Sequence, residues 1–151
     1  METKRPAGLE SHLGYWLRLV SNHVSGAFAQ KLSAKDVTVA EWVVLRELYD
    51  GAQSPSLLSQ KMEMTRGAIT KLADRLIARK LVARMASPSD GRAQILSLTG
   101  QGKIVVPQLA TLADRNDAEF FAGLTASDRA ALKALLLKIV KARDLRGMPT
   151  E

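Results

Sequence analysis

From Leu13 onward the apolar residues Leu13, Trp16, Leu17, Val20, Val24, Phe28 and Leu32 recur at steps of three and four, as one face of a long amphipathic helix does. This spacing predicts a first helix from Glu10 to Leu32. Thr38 followed three residues later by Glu41 has the form of a capping box, and Trp42, Val43, Leu45, Leu48 and Tyr49 then keep helical spacing until Gly51. Ser54 before Pro55, an N-cap residue ahead of a first-turn proline, opens a third helix carrying Leu57, Leu58 and Met62. Thr65 caps a fourth, in which Ile69, Leu72, Ala73, Leu76 and Ile77 share one side as far as Lys80.

The period then changes. Two extended runs, Leu81 to Ala86 and Ala93 to Leu98, flank the polar stretch Ser87 to Arg92 and predict a hairpin with a long tip. Thr99 caps a fifth helix, whose Val105, Leu109, Leu112, Ala113, Phe120 and Phe121 run to Gly123; Pro107 either kinks it or lies in its first turns. Thr125 and Asp128 repeat the cap signal ahead of a last stripe of Leu132, Leu135, Leu136, Ile139 and Val140. Residues 147–151 read as a loose tail, and no internal repeat or domain linker interrupts the chain.

A length of 151 residues with 46% hydrophobic content suits one domain with a real core. The net charge of +7 narrows the partner to a polyanion, nucleic acid or an anionic membrane. No apolar run approaches the roughly 20 residues that cross a bilayer, and Met1 to Gly8 lacks the apolar core of a secretory signal, so a cytoplasmic protein without a membrane partner is expected. The absence of cysteine excludes disulfides, thiolate metal sites, a cysteine nucleophile and thiol redox sensing. His12 and His23 stand apart from any dense carboxylate cluster, so no metal is expected. Gly100-Gln101-Gly102 is too short for a dinucleotide fingerprint, and the spacings of an acid-base pair or activated nucleophile are missing. The expectation is a protein with no cofactor that is not an enzyme.

Charge is concentrated where the fourth helix lies. At 100° per residue, Arg66, Gly67, Thr70, Lys71, Asp74, Arg75 and Ala78 span the half-circle opposite its apolar residues. From Lys61 to Arg92 eight basic residues face three acidic ones, a net +5. Phosphates would bind such a surface through counterion release, and small residues such as Gly67 let a helix backbone approach base edges. One charged face alone reads first as a solvated face. The neighbours decide: a helix, a short turn, the basic helix and then a hairpin follow the order of a winged helix-turn-helix. Ser54, Ser56, Thr65, Arg84, Ser87 and Ser89 join Arg66, Gly67, Thr70, Lys71, Arg75 and Arg92 as candidate DNA-binding residues. Arg92, at the tip, is placed to enter a minor groove. Asp90 is expected to pair with a basic side chain of the wing and so fix the tip.

These residues resemble the MarR (multiple antibiotic resistance regulator) family of bacterial transcription factors over nearly the whole chain. The wing carries the most specific part: Asp90-Gly91-Arg92, then Leu98-Thr99 and Gly102, are similar to the family's Asp-x-Arg and Leu-Thr-x-x-Gly patterns. Gly91 stands where a second basic residue is common, and Gly100 where an acidic residue or proline often opens the helix. The resemblance implies a mainly α fold with a small β-hairpin, in which about 10–37 and 100–146 supply dimerisation helices and about 38–99 the winged helix-turn-helix. It also implies a repressor released by a small aromatic or phenolic ligand.

The residues agree on the dimer. A helix-turn-helix dimer separates its recognition helices by about one DNA turn, ~34–36 Å, to read an inverted-repeat operator in double-stranded DNA, and long terminal helices supply that spacer. Leu13, Leu17, Leu132, Leu135, Leu136 and Ile139 are the expected homodimer contacts, with packing inside one chain as the alternative. Trp16, His23, Trp42 and Arg46 come from the two helices that line the ligand pocket in similar proteins and offer aromatic walls with polar groups for a carboxylate or phenol. Two rival functions remain on the same fold, a sequence-nonspecific nucleic-acid binder and a protein-interaction module. With 5% aromatic residues, most of them in core stripes, the chain lacks the exposed rings that stack on single strands.

Overall fold

A computed structural model describes residues 4–151. After a 3-10 turn at Leu9–Ser11 come α1 (Leu13–Ser33), α2 (Val39–Tyr49), α3 (Pro55–Met62), α4 (Arg66–Ala78), β1 (Val82–Ala86), β2 (Gln94–Leu98), α5 (Gly100–Phe120) and α6 (Ala126–Ala142). The first helix therefore starts three residues later than its periodicity predicts. The hydroxyl of Ser11 donates to the Gly8 carbonyl at 2.7 Å, closing the tight turn, and His12 then takes an extended conformation before α1 begins.

All five expected N-caps form. Thr38, Ser54, Thr65 and Thr99 each accept a backbone N–H from three residues ahead. Thr125 and Asp128 complete a reciprocal capping box at the start of α6. Glu41 does not close the matching box on α2; its carboxylate turns inward instead. Pro107 lies inside α5, which runs on through it to Phe120.

The core fills the space between α2, α3, α4, the root of the hairpin and the first half of α5. Leu45, Leu58, Leu76 and Leu96 are fully buried there, each contributing roughly 1.5–3 kcal/mol relative to exposure. β1 and β2 pair antiparallel from Val82 opposite Leu98 to Ala86 opposite Gln94. Gln53, in the α2–α3 connection, exchanges two backbone hydrogen bonds with Leu96, at 3.0 and 2.8 Å, and adds a bridge on the far side of β2. The root of the wing is thereby pinned to the helix-turn-helix from both flanks.

Gly102 explains the closeness of α5 to that root. A Cβ there would stand 2.2 Å from the Leu81 carbonyl oxygen, a distance no side chain tolerates. Thr99 donates its hydroxyl to the Lys80 carbonyl at 2.6 Å while capping α5, so one residue ties the end of α4 to the start of α5.

Residues 147–151 depart from the loose tail predicted. Met148 packs against the core, and Gly147, at φ +90°, lets the chain turn beside the Glu63 side chain. The reason is local apolar cover: Met148 is the one large hydrophobic side chain of the segment, and α1 and α2 leave a groove that it enters.

Candidate nucleic-acid interface

α3 and α4 meet through a turn in which Glu63 adopts the left-handed conformation, φ +50°. The Met64 N–H donates to the Ser59 carbonyl at 3.1 Å and the Ser59 hydroxyl to the Met64 carbonyl at 2.5 Å, closing the turn. The αL step at Glu63 had no glycine to announce it in the sequence.

α4 buries Ile69, Leu72, Ala73 and Leu76 and turns Arg66, Gly67, Thr70 and Lys71 to solvent. Between this face, the start of α3 and the hairpin runs a cleft of about 690 Å³. The expected residues Ser54, Ser56, Arg66, Thr70, Arg84 and Arg92 line it together with Asp74 and Asp90. Thr65, Gly67, Lys71, Arg75, Ser87 and Ser89 lie outside its walls. Ser54 and Thr65 spend their hydroxyls on the caps of α3 and α4, and Thr70 donates its own to the Arg66 carbonyl at 2.9 Å. These hydroxyls chiefly order the helices that carry the cations.

The cations differ in how free they are. Arg66, Lys71 and Arg92 form no ion pair among the described residues. Arg84 on β1 donates to Asp74 on α4 at 2.9 Å. Arg75 lies 3.5 Å from the buried Glu41 carboxylate of α2, and Arg79 3.7 Å from its other oxygen. The acidic partners Asp74 and Glu41 escaped the sequence reading because nothing local links α4 to β1 or α2.

At the wing tip the expectation for Asp90 needs correcting. Its Oδ1 accepts the backbone N–H of Arg92 at 3.0 Å, and no basic side chain pairs with it among the described residues. An Asx turn holds the tip, a contact two residues long that a carboxylate makes more readily than one with a flexible lysine or arginine. The Arg92 side chain is left exposed. Gly91 has open space around it and no positive φ.

The four expected ligand residues divide. Trp42 and Arg46 face a pocket of about 390 Å³ with Phe28, Val39 and Val43, covered on one side by Met148 and Pro149. The Phe28 and Trp42 rings stand edge to face with centroids 6.5 Å apart. Trp16 lines a different groove of about 520 Å³, with Leu13, Leu17, Phe120 and Leu132, and donates its indole N–H to the Glu10 carbonyl. His23 is exposed and lines neither. Helical geometry explains the split: Trp16 and His23 lie almost in line on α1, whereas Phe28 is rotated by over 100° from both.

A second surface is apolar. No residue of α6 is buried, and Leu132, Leu135, Leu136 and Ile139 are 37–60% exposed. Leu13 and Leu17 on α1 are open as well, as are Leu137 and Val140, which the stripe reading omitted or left unassigned. This continuous exposure exceeds what scattered surface hydrophobics explain. Elsewhere α1 is cross-linked to α5 by polar contacts: Lys31 donates to the buried Asn116 at 3.0 Å and Asn116 to the Val24 carbonyl at 3.2 Å. No helix of the described residues is long and apolar enough to cross a membrane.

Residues 35–93 match the sequence profile described as the MarR family. An HTH-type transcriptional repressor of Mycobacterium tuberculosis is 32% identical over 135 residues, 86% of this chain and 94% of that protein. Among solved structures, BpsR of Bordetella bronchiseptica, from work on regulation of its DNA binding by 6-hydroxynicotinic acid, superposes with a TM-score of 0.78 at 29% identity. That match covers 89% of this chain and 97% of the other. A cysteine-to-serine mutant of MarR from Escherichia coli in complex with operator DNA gives a TM-score of 0.76 at 28% identity, covering 85% and 93%.

Proposed function

The chain belongs to the MarR family, and from that premise we propose that it is a sequence-specific, double-stranded-DNA-binding transcriptional repressor. It acts as a homodimer on an inverted-repeat operator and is released by a small aromatic or phenolic ligand. The observation that carries the reading is a set of cations with no ion-pair partner among the described residues: Arg66 on α4 and Arg92 on the wing, which line one cleft, and Lys71 on the exposed face of α4 outside its walls. α4 enters a major groove, its N-terminal residues toward the bases, while Arg92 reaches the adjoining minor groove. Arg84, Ser56, Ser87 and Ser89 supply backbone contacts that set register.

The second copy covers α6 and the exposed face of α1. Burying residues such as Leu135 and Leu136 there is favourable by area and places two recognition helices about one DNA turn apart. The pocket beside Trp42 takes the ligand, with Arg46 as counter-charge for a carboxylate or phenolate. Arg46 is held at the rim by Asp50, 2.9 Å away, and lies 5.7 Å from the Tyr49 ring centroid.

Selection of bound duplexes from a random pool, repeated with benzoate, salicylate and 6-hydroxynicotinic acid, tests the whole reading. Enrichment of an inverted repeat, lost with one of these acids, is the expected result. A pool that stays random after selection overturns sequence-specific binding, and enrichment unaffected by every acid overturns the ligand class.

A further inference from the structure

Glu41 occupies the third position of α2, where its carboxylate could close a capping box on Thr38. It is turned instead against α4, its side chain 7% exposed, with Arg75 Nε at 3.5 Å from one oxygen and Arg79 Nη1 at 3.7 Å from the other. Arg79 also donates to the backbone carbonyls of Asp36 and Lys35, in the connection between α1 and α2. The dipoles of the two helices favour this arrangement: a carboxylate sits in the first turn of α2 and cations cluster toward the end of α4.

We propose, on the reading that α4 binds DNA, that Glu41 is a positioning residue for DNA recognition and that Arg75 and Arg79 are the dock of α4, so that the cations left for base reading on α4 are Arg66 and Lys71. On the sequence Arg75 shares the outward half-circle with Lys71, one turn away. In the fold the two separate. Lys71 has no ionic partner among the described residues, whereas Arg75 answers a buried carboxylate. Drawing Arg75, whose side chain is 57% exposed, onto DNA would leave that carboxylate with Arg79 alone, and a buried carboxylate loses compensation with each cation it gives up. The carboxylate thus keeps Arg75 at home and sets the angle at which the first turns of α4 meet a groove.

The test uses the full chain and the duplex enriched from the random pool, with a scrambled duplex as control. Glu41→Gln, Arg75→Ala, the double variant and Lys71→Ala are titrated over a range of NaCl concentrations, below the melting temperature of each. Glu41→Gln and Arg75→Ala should each weaken the enriched duplex by about tenfold and the scrambled one far less, and the double variant should be no weaker than the worse single. The salt slope of Arg75→Ala should match the wild type, whereas Lys71→Ala should flatten the slope by about one unit or relax one base position. Loss of folded protein alone would lower both duplexes together, so a changed ratio separates positioning from mere stability. If Arg75→Ala flattens the salt slope or relaxes a base position, Arg75 is a DNA contact and the proposal falls. Additive losses in the double variant overturn it too. A wild-type chain that enriches no duplex overturns the DNA-binding reading itself, a different result from any of these.

Discussion

Asp74 Oδ1 accepts from Arg84 Nη2 at 2.9 Å, so the one acidic side chain of α4 is neutralised by the first strand of the wing. Both residues line the cleft, and the pair joins the two elements that would hold DNA between them. Both groups are partly exposed, 58% and 33%, so the pair stabilises the fold by about 1 kcal/mol or less. Its larger effect is on charge. Asp74→Ala should free Arg84 and remove a negative charge from the cleft, tightening binding to scrambled duplex and lowering discrimination for the selected one. Titration of both duplexes checks this; unchanged nonspecific affinity would refute it.

Two glycines near the site should respond in opposite ways. Gly102→Ala forces a methyl group onto the Leu81 carbonyl and should cost about 1–3 kcal/mol or more, as overpacking does. Gly67→Ala meets open space and should stabilise α4 by about 1 kcal/mol through helix propensity, yet weaken duplex binding by crowding the groove. Thermal denaturation of each, with duplex titration of Gly67→Ala, decides the matter. A Gly67→Ala protein that binds normally would show that the helix backbone stays distant from the bases.

The wing makes a sharper claim about sequence. Arg92→Ala should lose most affinity on operators with A·T-rich flanks, where the minor groove is narrow and its potential most negative, and less on G·C-rich flanks. Gly91→Ala should be nearly silent, since its backbone needs no positive φ. Equal losses for Arg92→Ala on paired duplexes differing only in the flanks would reduce it to a phosphate contact.

Replacing both Leu135 and Leu136 by glutamate puts charge into the exposed stripe of α6. Sedimentation at micromolar concentration should show a dimer for the wild type and a monomer for this variant, with helix content retained because no residue of α6 is fully buried in its own chain and Leu135 is 60% exposed. A wild type that sediments as a monomer would remove the dimer from the mechanism.

Met148→Ala removes the side chain that covers the pocket beside Trp42. It should lower stability by about 1 kcal/mol, less than a full core truncation because the site is only half-buried, and should change Trp42 emission in a Trp16→Phe background. Unchanged melting and emission would return residues 147–151 to a loose tail.

Much of this was legible in the one-dimensional pattern. The stripe of Ile69, Leu72, Ala73 and Leu76 separates the core side of α4 from its outward side, and the caps at Ser54 and Thr65 open the two helices of the helix-turn-helix, since both signals act within four residues. The hairpin was legible too, from two short extended runs around Ser87 to Arg92. Other features had no local signature. Glu63 takes a left-handed conformation that usually calls for glycine, and Trp16 and Trp42, both on apolar stripes, end in different grooves.

The sequence by itself determined the elements, their order and the sign of the charge on α4, because helical period, capping and net charge are set by neighbours along the chain. Only the tertiary structure decided which cations stay unpaired. Glu41 and Arg75 lie 34 residues apart, and Asp74 and Arg84 ten. Whether such groups meet depends on how α2, α4 and β1 pack on the shared core of Leu45, Leu76 and Leu96. An ion pair forms at a distance of a few ångströms, and distance in space, unlike spacing in sequence, is a product of that packing.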